Sequence, residues 1–208
     1  MKDNNMSQPS LRLFTIITQL AVALLCTLAM SAAQAHSGHH AHEHKVTKAS
    51  GGDFTLTSAT GPVALNEFRG KVVAIYFGYS HCLDICPVDL GKLRDALKSM
   101  KPDEVAQIQP IFITVDPARD DAKHLSEYSE IFHPKLIGLT GSETEIAAVA
   151  KAYGVSYEKG QVNATGAYDI EHPSVIFLVG RDGKLLRSLS QDTSPERIVA
   201  ALHKVLRQ

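Results

Sequence analysis

From Phe54 onward the spacing of apolar positions changes period repeatedly, and each change marks an element. "DFTLTS" alternates and predicts a short strand. "VALNEFRGKVVAIYFGY" leads into an unbroken apolar stretch at about 72–77, the pattern of a strand buried on both faces. "PVDLGKLRDALKSM" places Leu90, Leu93, Leu97 and Met100 at helical spacing. A second buried strand, "AQIQPIFITV", ends at "DPARD". A helix through "DAKHLSEYSEIF" and a short strand, "KLIGLT", follow. "SETEIAAVAKAYG" opens on Ser142 with Glu145 three residues later, a capping box, and Gly154 ends the helix. "SVIFLVGRDGKLLRSL" predicts a β-hairpin turning at Arg181-Asp182-Gly183. "SPERIVAALHKVL" has Ser194 as cap and Pro195 at the first helical position.

Strand and helix signals that alternate in this way imply a central mixed sheet, partly parallel, with helices on both faces. The last hairpin is expected to add antiparallel edges. The order β-α-β, α, β-hairpin, α is that of an α/β thioredoxin-like fold with insertions, over residues 53–208.

The first 35 residues follow a different rule. Lys2 and Arg12 precede the 18-residue apolar run "LFTIITQLAVALLCTLAM", and Ala33-Gln34-Ala35 closes it with a small-x-small pattern. Residues 1–35 read as a secretory signal peptide, with an uncleaved N-terminal membrane anchor as the competing reading. Either implies export, to the periplasm, with a tether to the inner membrane in the second case. Leu25 before Cys26 is too large for a lipoprotein processing site.

Residues 36–52 form a polar tail and linker, and the tail holds five histidines: His36, His39, His40, His42 and His44. Neutral imidazoles bind Cu, Zn and Ni, so the tract is a candidate auxiliary metal collector. A merely solubilising tail is the bland alternative. Overall composition adds limits rather than detail. With 44% hydrophobic and 21% charged residues the mature chain suits one globular domain. A formal net charge of −1 gives no basis for nucleic-acid binding, and a monomer is the expected state.

The candidate chemistry lies in "FGYSHCLDICPVDL". Cys82 and Cys86 are four apart, one residue more than the thioredoxin-type C-x-x-C, and lie between a buried strand and a helix. Ligand sites in α/β sheets gather beyond the carboxyl ends of strands. Pro87 suits a first helical turn, so Cys86 is expected at the helix N-terminus, where free N–H groups stabilise a thiolate. Asp84 or Cys86 itself is the expected cap. A thiolate serves either thiol exchange or metal binding, and two soft thiolates select Cu(I) or Zn with at least one further donor. His172, just before a buried strand, is the third donor on offer. Glu171 is positioned to orient its ring, and a cis bond at Pro173 would set the loop's direction. His81 reads as an exposed loop residue, and His124, His133 and His203 as solvated.

Taken together, "FGYSHCLDICP", "VDPARD" at 115–120, "YGVSYEKG" at 153–160 and "EHPSVIFLV" at 171–179 resemble the SCO/SenC family, copper-binding assembly factors of cytochrome c oxidase. The resemblance covers roughly residues 54–206. It implies a thioredoxin-like fold, copper ligation by Cys82, Cys86 and His172, and delivery to the copper-containing subunit of the oxidase. Thiol reductants and other copper chaperones are further implied partners. The alternatives are a thiol-disulfide oxidoreductase that reduces the target's cysteines, using Cys82 and Cys86 alone as catalytic residues, and a redox or copper sensor. Leu83 replaces the family's usual proline, Ser80 a threonine, Glu171 an aspartate and Pro173 a small hydroxyl residue. None of these changes removes a ligand.

Overall fold

The computed structural model describes residues 49–208. The leader at 1–35 and the histidines at 36, 39, 40, 42 and 44 lie outside the described residues. The chain forms β1 (Thr55–Ser58), β2 (Gly61–Ala64), a 3-10 turn (Leu65–Phe68), β3 (Val72–Gly78), α1 (Ile85–Ser99) and α2 (Pro102–Ala106). β4 (Ile108–Thr114), α3 (Ala122–Phe132), β5 (Ile137–Leu139) and α4 (Glu143–Ala152) come next. β6 (Glu158–Lys159), β7 (Ile170–Glu171), β8 (Val175–Val179), β9 (Leu185–Ser190) and α5 (Pro195–Leu206) complete it.

The main sheet has five strands in the order β5-β4-β3-β8-β9. β3, β4 and β5 run parallel, whereas β8 is antiparallel to β3 and β9 antiparallel to β8. The two unbroken apolar runs became its interior because every residue of β3 and β4 is buried. The hairpin differs from expectation in one respect: β8 pairs on both sides, so only β9 is an edge. Its burial follows suit, apolar throughout in β8 and alternating in β9.

Side-chain alternation along β3 shows which helices cover which face. Tyr76 stacks on Phe112 with centroids 6.3 Å apart, and Phe112 meets Tyr128 of α3 at 5.6 Å. The Tyr76 hydroxyl also donates to Asp89 of α1 at 3.2 Å, and α5 packs beside α1. Phe77 points the other way, to Phe177 at 5.8 Å and to Tyr153, the C-cap of α4, at 5.7 Å. Burying a ring of this kind contributes about 1.5–3 kcal/mol over leaving it exposed. Helices therefore lie on both faces, and the architecture is thioredoxin-like α/β.

The caps at Ser142 and Ser194 form as read, each accepting from the backbone N–H three residues on. Gly154 follows α4 at φ +69°, where a Cβ would be strained. α2 and the β6–β7 ribbon were not anticipated. Both are too short for a period to register, and tertiary contacts hold them: Lys135 Nζ donates to the Val105 carbonyl beside α2, and the Gly160 N–H to the Asp169 carbonyl beside the ribbon. All peptide bonds among the described residues are trans, Pro173 included. No helix among them is long and apolar enough to cross a membrane.

Candidate metal centre

α1 begins earlier than the apolar spacing suggested, at Ile85, with Asp84 in the cap position and Cys86 second in the helix. The first turn thereby hangs directly over the end of β3. Space for this comes from Gly78: a Cβ there would lie 2.9 Å from Cys86 Sγ and from Tyr76 Cε1, and 3.0 Å from Phe112 Cε2. Only a bare backbone lets the sulfur approach the strand so closely.

Cys86 is fully buried and Cys82 is 8% exposed; both are free thiols. The loop after β7 brings His172 Nε2 to 3.3 Å from Cys86 Sγ. His172 Nδ1 lies 3.2 Å from the Pro173 carbonyl oxygen. A carbonyl can only accept, so Nδ1 carries the proton and Nε2 presents its lone pair to the sulfurs. The imidazole thus takes an orientation from a backbone carbonyl, and Glu171 precedes it in β7. The edges of two buried tyrosines hold the ring, Tyr79 at 5.9 Å and Tyr76 at 6.3 Å between centroids.

The two sulfurs do not ionise alike. The Cys82 thiol is lowered to about 3, chiefly because it accepts a hydrogen bond from Cys86, with the neighbouring His172 and the backbone N–H groups of Cys86 and Asp84 adding to the effect; burial opposes the shift. Cys86 moves the opposite way, since its proton is committed to Cys82 and its sulfur is buried. The pair therefore shares one proton over a wide range, with the charge centred on Cys82. The expectation that helix N–H groups would stabilise Cys86 was misplaced by one partner: those N–H groups point at Cys82.

Two carboxylates fasten the surroundings. Asp89, buried on α1, accepts from the Tyr76 hydroxyl, from Lys92 Nζ at 3.1 Å and from Ser174, two residues beyond His172. It ties the strand, the helix and the histidine loop to one point. Asp120, 0% exposed, accepts from the Ser80 N–H at 3.0 Å, the Ser80 hydroxyl at 2.5 Å and the Thr114 hydroxyl at 2.6 Å. It fixes the loop just before Cys82. The rest of "DPARD" closes the rim: Asp116 accepts from the Arg119 guanidinium and, at 2.8 Å, from the Tyr168 hydroxyl. Arg119 in turn lies 3.5 Å over the Tyr168 ring.

Of the residues named from sequence, the structure brings Cys82, Cys86 and His172 together. His133 and His203 are half-buried rather than solvated, the latter 3.1 Å from Glu104. His81 and His124 are exposed, yet their rings approach to 5.7 Å over Asp120. Asp89 was missed, although an acid three residues after Cys86 on the face that carries Leu90 and Leu93 was a readable signal.

The dithiol and imidazole are a soft donor set of two sulfurs and a nitrogen. Comparison with known proteins agrees with this chemistry. The profile of the family described as SCO1/SenC matches residues 42–207. Mouse Protein SCO2 homolog, mitochondrial, is 38% identical over 164 residues, covering 74% of this chain and 64% of that protein. The match thus spans a little under two thirds of the mouse protein's length. Arabidopsis thaliana ScoI, solved with copper bound, superposes with a TM-score of 0.71 at 36% identity, over 76% of this chain and 98% of that one. Bradyrhizobium japonicum ScoI, also solved with copper bound, gives 0.69 at 36% identity, over 76% and 100%.

Proposed function

Because this chain belongs to the SCO1/SenC family, we propose that it holds copper on Cys82, Cys86 and His172 and delivers it to the copper-containing subunit of a cytochrome c oxidase. The observation that carries this reading is the convergence of two thiols and an imidazole nitrogen, with Cys86 Sγ 3.3 Å from His172 Nε2. Soft donors of this number suit Cu(I), and a three-ligand site leaves a position through which a partner's ligand can enter and remove the ion. The copper-bound ScoI structures support the choice of metal. Copper is here cargo, and the protein a metallochaperone.

Residues 1–35 would export the domain to the periplasm, as a cleaved leader or a tether, and the histidines at 36–44 would collect metal for the site. Thiol reductants would keep Cys82 and Cys86 reduced, and another copper chaperone would load them. One observation favours a second activity in the metal-free protein. A Cys82 thiolate accepting from the Cys86 thiol is poised to attack a disulfide of the target, which would leave a Cys82–Cys86 disulfide here and two thiols on the target.

The test is copper stoichiometry and affinity of the reduced protein, repeated after removal of residues 36–44 and after His172→Ala. The expected result is one tightly held copper that survives loss of the tail and is weakened at least about a hundredfold by His172→Ala. Copper held only by the tail, with a readily reduced Cys82–Cys86 disulfide, would leave thiol exchange as the function.

A further inference from the structure

We infer a second metal site on the outer side of the same loop, built from His81, Asp120 and His124, that takes a divalent first-row transition ion. His81 Nδ1, an Asp120 carboxylate oxygen and His124 Nε2 lie within 4.8 Å of one another. None of the three belongs to the dithiol site, so this inference stands apart from copper delivery.

In the metal-free protein all three atoms converge on one small group, the Ser80 hydroxyl. It lies 2.5 Å from Asp120 Oδ1, 2.8 Å from His124 Nε2 and 3.1 Å from His81 Nδ1. A hydroxyl has one proton and two lone pairs, and the carboxylate can only accept. Ser80 Oγ therefore donates to Asp120 and accepts from both ring nitrogens. Three donor atoms aimed at a single point from three sides are the half-shell a cation needs, with the hydroxyl standing at its centre.

The demands of binding are small. Zinc bonds of about 2.0–2.1 Å in a tetrahedron set donor pairs roughly 3.4 Å apart. His81 Nδ1 and Asp120 Oδ1 are already 3.4 Å apart. His124 must swing inward, which its exposed place on the first turn of α3 permits. Each imidazole has only to move its proton to its other nitrogen, and rotation of Ser80 clears the centre. The donors differ in kind as well: two imidazoles and a carboxylate suit Zn2+, Ni2+ or Cu2+. Asp120 also has the second-layer support that metal carboxylates use, since its other oxygen accepts from Thr114 and the Ser80 N–H.

The experiment uses the full-length reduced protein and Zn2+, which is redox-silent. Diethylpyrocarbonate modification is mapped at each histidine by peptide mass, with and without the ion. A Cys82→Ser/Cys86→Ser protein is run in parallel to remove the thiolates as competitors. The expected result is a slowing of modification at His81 and His124 together, by fivefold or more, in both proteins. His124→Gln, a change on an exposed helix turn, should abolish the protection of His81. Unchanged rates at both residues while the tail histidines are protected would overturn the site. So would protection of His81 that survives His124→Gln.

Discussion

The two flanks of the Cys82–Cys86 loop are built on opposite principles. On the inner flank, Asp89 is buried and gathers Tyr76, Lys92 and Ser174, so that the buried Cys86 and the half-buried His172 rest on fixed groups. On the outer flank, Asp120 is just as buried but holds backbone and hydroxyl groups of Ser80 and Thr114, with exposed imidazoles above it. The inner flank governs where the ligand atoms are. The outer flank governs where the loop is. The two sulfurs thus rest on different anchors, Cys86 on the Asp89 side and Cys82 on the Asp120 side.

The largest expected effect separates the sulfurs directly. With Cys82 lowered to about 3 and Cys86 raised, iodoacetamide at pH 6 should alkylate Cys82 at least a hundredfold faster than Cys86 in the metal-free reduced protein. The same shifts set the sign of a stability profile. Between about pH 3 and the ordinary thiol value near 8.5, the unfolded pair carries two protons and the folded pair one, so stability rises with pH. Above that value the unfolded pair loses both protons while Cys86 keeps its own, and stability falls. Denaturant titrations of the reduced protein that peak near pH 8.5, and a Cys82→Ser protein that loses the rise, would bear this out. Equal alkylation of the two cysteines would erase the asymmetry.

Next in size is a paired test of the carboxylates. Asp89→Asn removes the charge that unites the helix, the strand and the histidine loop, and should lower copper affinity about 10–100-fold. Asp120→Asn should cost about 1.5–3 kcal/mol of stability, because its hydrogen bonds are to a charged acceptor, while copper affinity changes less than about threefold. Isothermal unfolding and competition against a Cu(I) chelator measure both quantities on both variants. If the two variants weaken copper equally, the flanks are not specialised.

The parts of the molecule that were legible in the sequence are those with a local signature. β3 and β4 are unbroken apolar runs because parallel strands are buried on both faces, and the cysteines stand between one such run and a helical stripe. His172 was found by its place before β8. What escaped was pairing over distance. Asp89 meets Ser174 across 85 residues and Ser80 meets His124 across 44, and no periodicity encodes such contacts. The direction of the helix N–H groups toward Cys82 was also hidden, since it depends on α1 starting at Ile85, before the apolar stripe begins. The interior place of β8 is not encoded in its hairpin, because a hairpin's pairing partners are set by the whole sheet and not by its turn.

The smallest expected effect is at Leu83, the first of the three residues between the cysteines. It is 96% exposed, and its side chain adds nothing to the packing of either flank. A proline stiffens a loop chiefly by restricting the unfolded chain, worth about 0.4–1 kcal/mol where the backbone already fits. Here the loop is held from outside: Ser80 is anchored on Asp120, and the Cys82 N–H donates to the Tyr79 carbonyl at 3.3 Å. Leu83→Pro should therefore leave copper affinity within about threefold and raise stability by no more than about 1 kcal/mol. Chelator competition and denaturant unfolding on this one variant decide the matter. A tenfold gain in affinity would mean that loop stiffness, rather than the two carboxylate anchors, sets the position of the sulfurs.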